Sequence, residues 1–444
     1  MAHATLIAFQ PRSCEAPGVC VVEGLMGRGL SRRRVVAMLG GVVAGQGGAL
    51  PAVAKKRSDN QNSDQHISDR QAIEILIEES EAEKYPVDRA LIKPFWFTQP
   101  VGERPSPTWP QDNVSFDYAH LLAEPNSASA FEFTASMFEQ LLALNSFARN
   151  TQLPKVLFGL RGCTLPDNQD RAGFAASHRL TATRPNHIDP KCIIGVWDTT
   201  AKAIAVFKAS TVPCADLMEK QIEGSLACNM MPTGVHHYRV GPHRAPRQPG
   251  AFRQQTPLWV MRSKKRLQFA TNDPDSLWDD LNGELPADNI HAAMLSSRTK
   301  PPFFSSAGCQ VVSGAYDGNH NPTGAWADFR KAAGLHHPIK FTNGSVSDQD
   351  GQPFDYVLLT GKDAQLIAGG KEQAVRALRF GSSGSPVSML QEKLAGQLGT
   401  AVDKTGTFDR NTLGAVIRWQ VGKKIAPTGI IAAEAASLLE LNWT

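Results

Sequence analysis

Long apolar runs are missing from this sequence. Nowhere do about eighteen uninterrupted apolar residues follow one another, so no stable membrane span is expected. A strong charge of either sign is missing too. The net charge is +4 over 444 residues, and part of it sits among basic residues in the first 57 positions. That is too little and too dispersed for a nucleic-acid partner. No His-Glu-x-x-His pair and no glycine-rich phosphate loop occur, so neither a metal nor another cofactor is expected. His236, His237 and His243 lie close together beside arginines. A cluster of this kind reads as surface polar residues rather than metal ligands, although it could line a groove near Pro232-Thr233-Gly234. Cysteine is scarce, with seven in the whole chain.

The start of the chain is readable. Ser31-Arg32-Arg33-Arg34-Val35-Val36 precedes a weakly apolar, glycine-rich stretch, and Ala52-Val53-Ala54 then offers small residues for a signal peptidase. An arginine pair ahead of such a segment resembles a twin-arginine export signal. Residues 1–25 look unlike a signal's basic start, so translation is expected to begin at Met26. Residues 1–54 are therefore set aside as a signal, and export places the mature chain in the periplasm or cell-wall space. Setting aside Cys14 and Cys20 leaves Cys163, Cys192, Cys214, Cys228 and Cys309. In an oxidising compartment two disulfides among the first four, with Cys309 left over, would be a natural arrangement.

A chain of 444 residues exceeds what one core usually organises, so two or three domains are expected. Residues 55–151 begin with a polar linker, carry a helical pattern around Ile73–Ile77 and another from Phe131 to Phe147, and suggest no function. From 152 to 365 the texture is β. Val156–Leu160, Ile193–Trp197, Ala203–Phe207, Val235–Val240, Leu258–Met261 and Phe354–Leu359 read as strands. The second and third, joined by Asp198-Thr199-Thr200-Ala201-Lys202, read as a hairpin. A short helix is expected from Thr323 to Ala333, with Trp326 and Phe329 on one face.

Residues 376–444 read as three short amphipathic helices. Val387, Leu390, Leu394 and Leu398 share one face, then Thr412, Ala415, Val416 and Trp419, then Ala435, Leu438 and Leu439. Leu378-Arg379-Phe380-Gly381-Ser382-Ser383-Gly384, Leu390-Gln391, Val402-Asp403-Lys404-Thr405-Gly406-Thr407-Phe408, Trp419-Gln420 and Thr428-Gly429 together resemble the peptidoglycan-binding repeat. Asp409 departs from the family, which often has glycine there. The resemblance implies that the module binds peptidoglycan.

The candidate chemistry lies at Ser305-Ser306-Ala307-Gly308-Cys309-Gln310. A thiol after a small residue and a glycine can be exposed beside backbone amides, which acyl transfer uses as nucleophile and oxyanion donors. A thiolate needs a nearby base, and His291 in Asn289-Ile290-His291-Ala292 supplies a histidine upstream. This pairing resembles the YkuD-type L,D-transpeptidases, whose motif is an upstream histidine and a Ser-His-Gly-Cys segment. Met231-Pro232-Thr233-Gly234 resembles their Thr-Pro-Thr-Gly segment. The resemblance makes Cys309 the nucleophile and His291 the base, puts the oxyanion region at Gly308 and around Ala307, and lets the Ala292 carbonyl orient the histidine. Two departures stand out. Ala307 replaces the family's second histidine, and Gln310-Val311 stands where arginine or asparagine is common. Ser297-x-x-Lys300, Ser58-Asp59-Asn60 and Lys404-Thr405-Gly406 imitate serine penicillin-binding motifs, but their order along the chain is wrong and they read as coincidence.

The expectation is therefore a multidomain exported protein with a β-rich L,D-transpeptidase-like domain and a C-terminal three-helix bundle. Its partner would be peptidoglycan and its activity cysteine-dependent acyl transfer on stem peptides. The alternatives are a wall-binding protein with an inert domain, or a carboxypeptidase or endopeptidase that uses water as acceptor.

Overall fold

The computed structural model describes residues 130–441 except 186, 215–216, 218–227, 245–246, 263–276, 293–302 and 345. The export signal, the start at Met26, the linker with its first helical pattern, and Ser297-x-x-Lys300 lie outside the described residues.

Eight strands form a closed barrel: β1 (Lys155–Arg161), β2 (Cys192–Asp198), β3 (Ala203–Ser210), β4 (Gly234–His243), β5 (Gln248–Gln254), β6 (Ile290–Ala292), β7 (Gln310–Val312) and β8 (Pro353–Thr360). Their order around it is β7-β6-β5-β4-β8-β1-β2-β3, and β3 closes back onto β7 through Ser210–Val311 and Ala209–Val312. The strand Arg171–Ala175 occupies the rest of that edge of β3, opposite Phe207, Val206 and Ile204. Most neighbours are antiparallel, while β8–β1 and β6–β7 are parallel.

β1, β2, β3 and β8 read as largely apolar runs because both of their faces are covered. Leu157, Ile194, Val196, Phe207, Phe252 and Tyr356 join one core with Trp326 and Phe329. Those two come from a helix at Gly324–Ala332, close to the bounds its periodicity predicts. Phe158, Leu160, Ile193, Trp197 and Val357 face a second core. It is capped by Phe138 and Leu141 of helix Ala135–Leu144 and by Ala364 and Ile367 of helix Gly361–Ala368. Each fully buried side chain of this size is worth about 1.5–3 kcal/mol.

The segment from Phe131 is not helical at its start. Ala130–Thr134 is a strand antiparallel to Ser177–Ala182, with Phe133 fully buried, and the helix begins only after Thr134, whose hydroxyl accepts from Met137 N at 3.1 Å. The alternation Phe-Glu-Phe fits a strand; the N-cap threonine marks the change of period.

At the C-terminus the three helices are Ser385–Leu398, Arg410–Gly422 and Ala433–Leu438. Two glutamines repeat one device. Gln391 Nε2 donates to Thr405 Oγ1 and Thr407 O at 3.0 Å, and its Oε1 accepts from Gly406 N at 2.9 Å. Gln420 likewise donates to Thr428 Oγ1 at 3.1 Å and Ile430 O at 2.9 Å, and accepts from Gly429 N at 2.9 Å. Each glutamine thus fastens a Thr-Gly turn to its helix. Asp409 caps the second helix by accepting from Thr412 N at 2.8 Å, a role glycine would fill without a side-chain acceptor. Leu438 departs from expectation at 47% exposed: the six-residue helix packs through Ala435, Ala436 and the following Leu439 instead.

These helices share one core with the sheet Asn229–Met230, Val260–Arg262 and Trp278–Asp279. Met230, Val260 and Trp278 pack with Leu390, Leu394, Leu413 and Trp419. Trp278 Nε1 donates to Pro427 O at 2.7 Å, and Val235 N donates to Phe380 O at 2.9 Å. The described residues accordingly fall within one compact unit by their contacts. Gly234 is required here, not at the candidate chemistry. Its φ is +152°, and a Cβ would meet the Phe380 carbonyl oxygen and lie 2.9 Å from Phe380 Cβ.

The two-disulfide arrangement is not formed. Cys163 and Cys192 are buried free thiols, and burial pushes both above the usual thiol range. Cys192 sits in the barrel wall, where Thr211 Oγ1 donates to its sulfur at 3.3 Å.

Candidate functional site

Parallel pairing of β6 with β7 creates the site. Ile290 stands opposite Gln310, His291 opposite Val311 and Ala292 opposite Val312. Cys309 is the residue just before β7, so the register brings its side chain toward that of His291. His243 ends β4, two strands away in the sheet order. A ring nitrogen of His243, a ring nitrogen of His291 and the Cys309 sulfur all lie within 4.8 Å of one another. The two imidazoles are stacked, centroids 4.5 Å apart and planes 20° apart.

Each member is held by named bonds. His291 Nδ1 donates to Ala292 O at 2.8 Å; a carbonyl can only accept, so the proton is on Nδ1 and Nε2 keeps a lone pair. The Cys309 thiol donates weakly to Ala287 O, with sulfur to oxygen 3.7 Å. Asn289 Nδ2 lies 3.0 Å from His243 Nδ1, and Asn289 Oδ1 accepts from Gln254 N at 3.0 Å. Cys309 is partly exposed, whereas the other four described cysteines are buried.

Burial sets the charge states. Loss of solvent, with the Arg244 guanidinium adding repulsion, holds His291 down at about 3, against the support of its bond to Ala292. Burial, with the His291 ring and the Arg244 and Arg253 guanidinium charges as further opposing neighbours, drives His243 well below the usual imidazole value. Both rings are neutral at neutral pH. Asp288, buried beside Gly308, is raised to about 7 by desolvation, against a weak bond from Asn229.

The backbone before the thiol is tightly specified. Gly308 has φ +152°, and a Cβ there would strike Asp288 Oδ1 and come within 2.9 Å of Asn229 Cβ. Ser306 Oγ donates to Cys309 O at 2.7 Å and accepts from Gly308 N at 3.0 Å. Gly308 N, assigned by resemblance to the oxyanion region, is therefore engaged within the loop. Ala307 O accepts from Asn229 N at 2.7 Å.

The structure thus brings Cys309, His291, Ala292 and Gly308 together and adds His243, Asn289 and Ser306. The histidine cluster of the sequence is dispersed. His236 is buried, stacked on Phe380 at 5.3 Å and donating from Nε2 to Pro232 O at 3.0 Å. His237 pairs with Asp355 at 2.8 Å. Only His243 reaches the thiol. No spacing rule could single it out, because its partner strands are distant in sequence; its place at the end of a long strand is the one hint. By composition, two imidazoles and a thiol would suit a borderline cation such as zinc.

Arg379 ties this region to the C-terminal helices. Its guanidinium is fully buried, 3.3 Å from Asp363 Oδ1, and donates to Thr233 Oγ1 at 3.2 Å. Asp363 also forms the capping box of helix Gly361–Ala368 with Thr360. Compared with known proteins, the chain matches no family model, no curated protein and no solved structure.

Proposed function

We propose that this is an exported cell-wall protein that binds peptidoglycan and transfers acyl groups of its stem peptides through Cys309, in the manner of the L,D-transpeptidases. The observation that carries the reading is the pairing of a partly exposed thiol with an imidazole whose proton is fixed on Nδ1 by Ala292. That tautomer leaves Nε2 as the base.

In the proposed step the sulfur attacks a stem-peptide carbonyl while the thiol proton passes to His291 Nε2. The S–C bond forms, the carbonyl oxygen takes the negative charge, and collapse expels the leaving amine, which takes the proton from His291. A thioester on Cys309 results. An amine of a second stem then gives a cross-link, whereas water gives a shortened stem. Because burial holds His291 at about 3, its resting imidazole is neutral and not the cationic half of a preformed ion pair. Proton transfer is therefore coupled to attack. The C-terminal helices, by their resemblance to the peptidoglycan-binding repeat, would hold the thiol near its polymer and raise its effective concentration there.

One observation favours an inert domain on a wall-binding protein: Gly308 N is engaged by Ser306 rather than directed at an incoming oxygen. Incubating the full chain with a purified tetrapeptide stem and measuring its intact mass separates the two. The enzyme reading predicts an acyl adduct that maps to Cys309 and is removed by hydroxylamine. No adduct, with the protein still sedimenting with sacculi, supports the inert reading.

A further inference from the structure

Asn289 is held in one orientation. Gln254 N is a donor only, so the Asn289 atom it meets at 3.0 Å must be the carbonyl oxygen. The amide nitrogen then faces His243 Nδ1 at 3.0 Å. An amide nitrogen donates, so His243 Nδ1 accepts and the imidazole proton lies on Nε2. His291, donating from Nδ1 to Ala292, is the opposite tautomer. Two stacked neutral imidazoles therefore lie near one thiol, a ring nitrogen of each within 4.8 Å of its sulfur, that of His291 with a lone pair on Nε2 and that of His243 with an N–H there.

From this we infer that His243 is a second catalytic histidine, the hydrogen-bond donor to the Cys309 thiolate, with Asn289 as the positioning residue that fixes its tautomer. The inference rests on the reading of Cys309 and His291 as nucleophile and base. It fills a gap in that reading, since Ala307 stands where the resembled family has its second histidine and Gly308 N is engaged by Ser306. A donor N–H beside sulfur favours the thiolate over the thiol, and being uncharged it does so without repelling the imidazolium that forms on His291. The same tautomer disfavours a metal at the cluster, because the nitrogen left to ligate carries the proton. Among the described residues, the ionisable groups near the thiol include His291, Tyr238 and Asp288, with Arg244 and Arg253 near the rings.

The direct test is long-range nitrogen–proton correlation NMR on the full chain with labelled histidine. The expected pattern is a protonated Nε2 on His243 and a protonated Nδ1 on His291. A protonated Nδ1 on His243 would overturn the inference. A second test uses His243→Phe, which keeps a ring against His291. Alkylation of Cys309 by iodoacetamide at pH 7, followed by peptide mass mapping, should slow about tenfold, one pKa unit of lost thiolate stabilisation. The His291 tautomer should be unchanged. Asn289→Ala should leave His243 as a mixture of tautomers and slow alkylation by a smaller factor. Wild-type alkylation rates in a folded His243→Phe protein would refute the donor role. Neither readout requires turnover of a peptide, so an absent transferase activity and an absent donor role give different results.

Discussion

Acidification from pH 7 to pH 5 should destabilise this protein well before its ordinary carboxylates titrate. Burial holds His187 at about 4, and His236 and His291 at about 3, while the unfolded chain titrates near the ordinary imidazole value of 6.5. For a group whose folded pKa lies below its unfolded one, the unfolded chain binds protons first as pH falls. Stability present above pH 6.5 is then lost on the way down. Each of the three histidines gives up about 2 kcal/mol over this interval. Asp288 works in the opposite sense. Raised to about 7, it takes up its proton in the folded state first and restores about 2 kcal/mol. His237, held up by its bond to Asp355, also gains on acidification but is largely exposed and adds little. His243, driven well below the usual imidazole value by burial, adds to the loss in the same direction, so the net loss is at least about 3 to 4 kcal/mol, a large part of an ordinary domain's stability of about 5–15 kcal/mol. Thermal melts followed by circular dichroism at constant ionic strength should show a midpoint roughly 5–15 °C lower at pH 5. An unchanged or higher midpoint at pH 5 would refute the assignment of these histidines as buried neutral groups.

Two substitutions probe the packing. Gly308→Ala forces a Cβ against Asp288 and Asn229 at φ +152° and should cost about 1–3 kcal/mol in urea unfolding, with slowed Cys309 alkylation; a wild-type midpoint would show that the loop yields freely. Arg379→Ala removes the guanidinium from beside the buried Asp363 carboxylate and should cost about 3–5 kcal/mol. A loss below about 1 kcal/mol, the scale of an exposed pair, would contradict its role in joining helix Gly361–Ala368 to the C-terminal module.

What the sequence made legible was local. Apolar runs such as Ile193–Trp197 mark strands because burial on both faces leaves nothing polar in them, and Leu390, Leu394 and Trp419 mark helices by period. The His291–Cys309 pairing is readable from types and order alone. Closure of the barrel is not, since it depends on β3 meeting β7 across about a hundred residues. The same holds for the parallel pairing that sets His291 beside the thiol. Helix Gly361–Ala368 hides because its first turn buries Lys362 and Asp363, residues a polarity pattern assigns to a surface. His243 escaped because its neighbour His236 serves packing against Phe380 and His237 serves a surface ion pair, so adjacency in sequence misled. Ser306 binding Gly308 N is a matter of loop geometry that residue types do not encode.

In the proposed function, Cys309 performs acyl transfer on peptidoglycan. The most direct measurement treats isolated sacculi with the full chain and with Cys309→Ala, then compares muropeptides by mass spectrometry. New cross-links or shortened stems with the native thiol alone are the predicted result, and which of the two appears identifies amine or water as acceptor. Identical muropeptide profiles from both proteins, each still sedimenting with the sacculi, would contradict the claim and leave a wall-binding protein with an inert thiol.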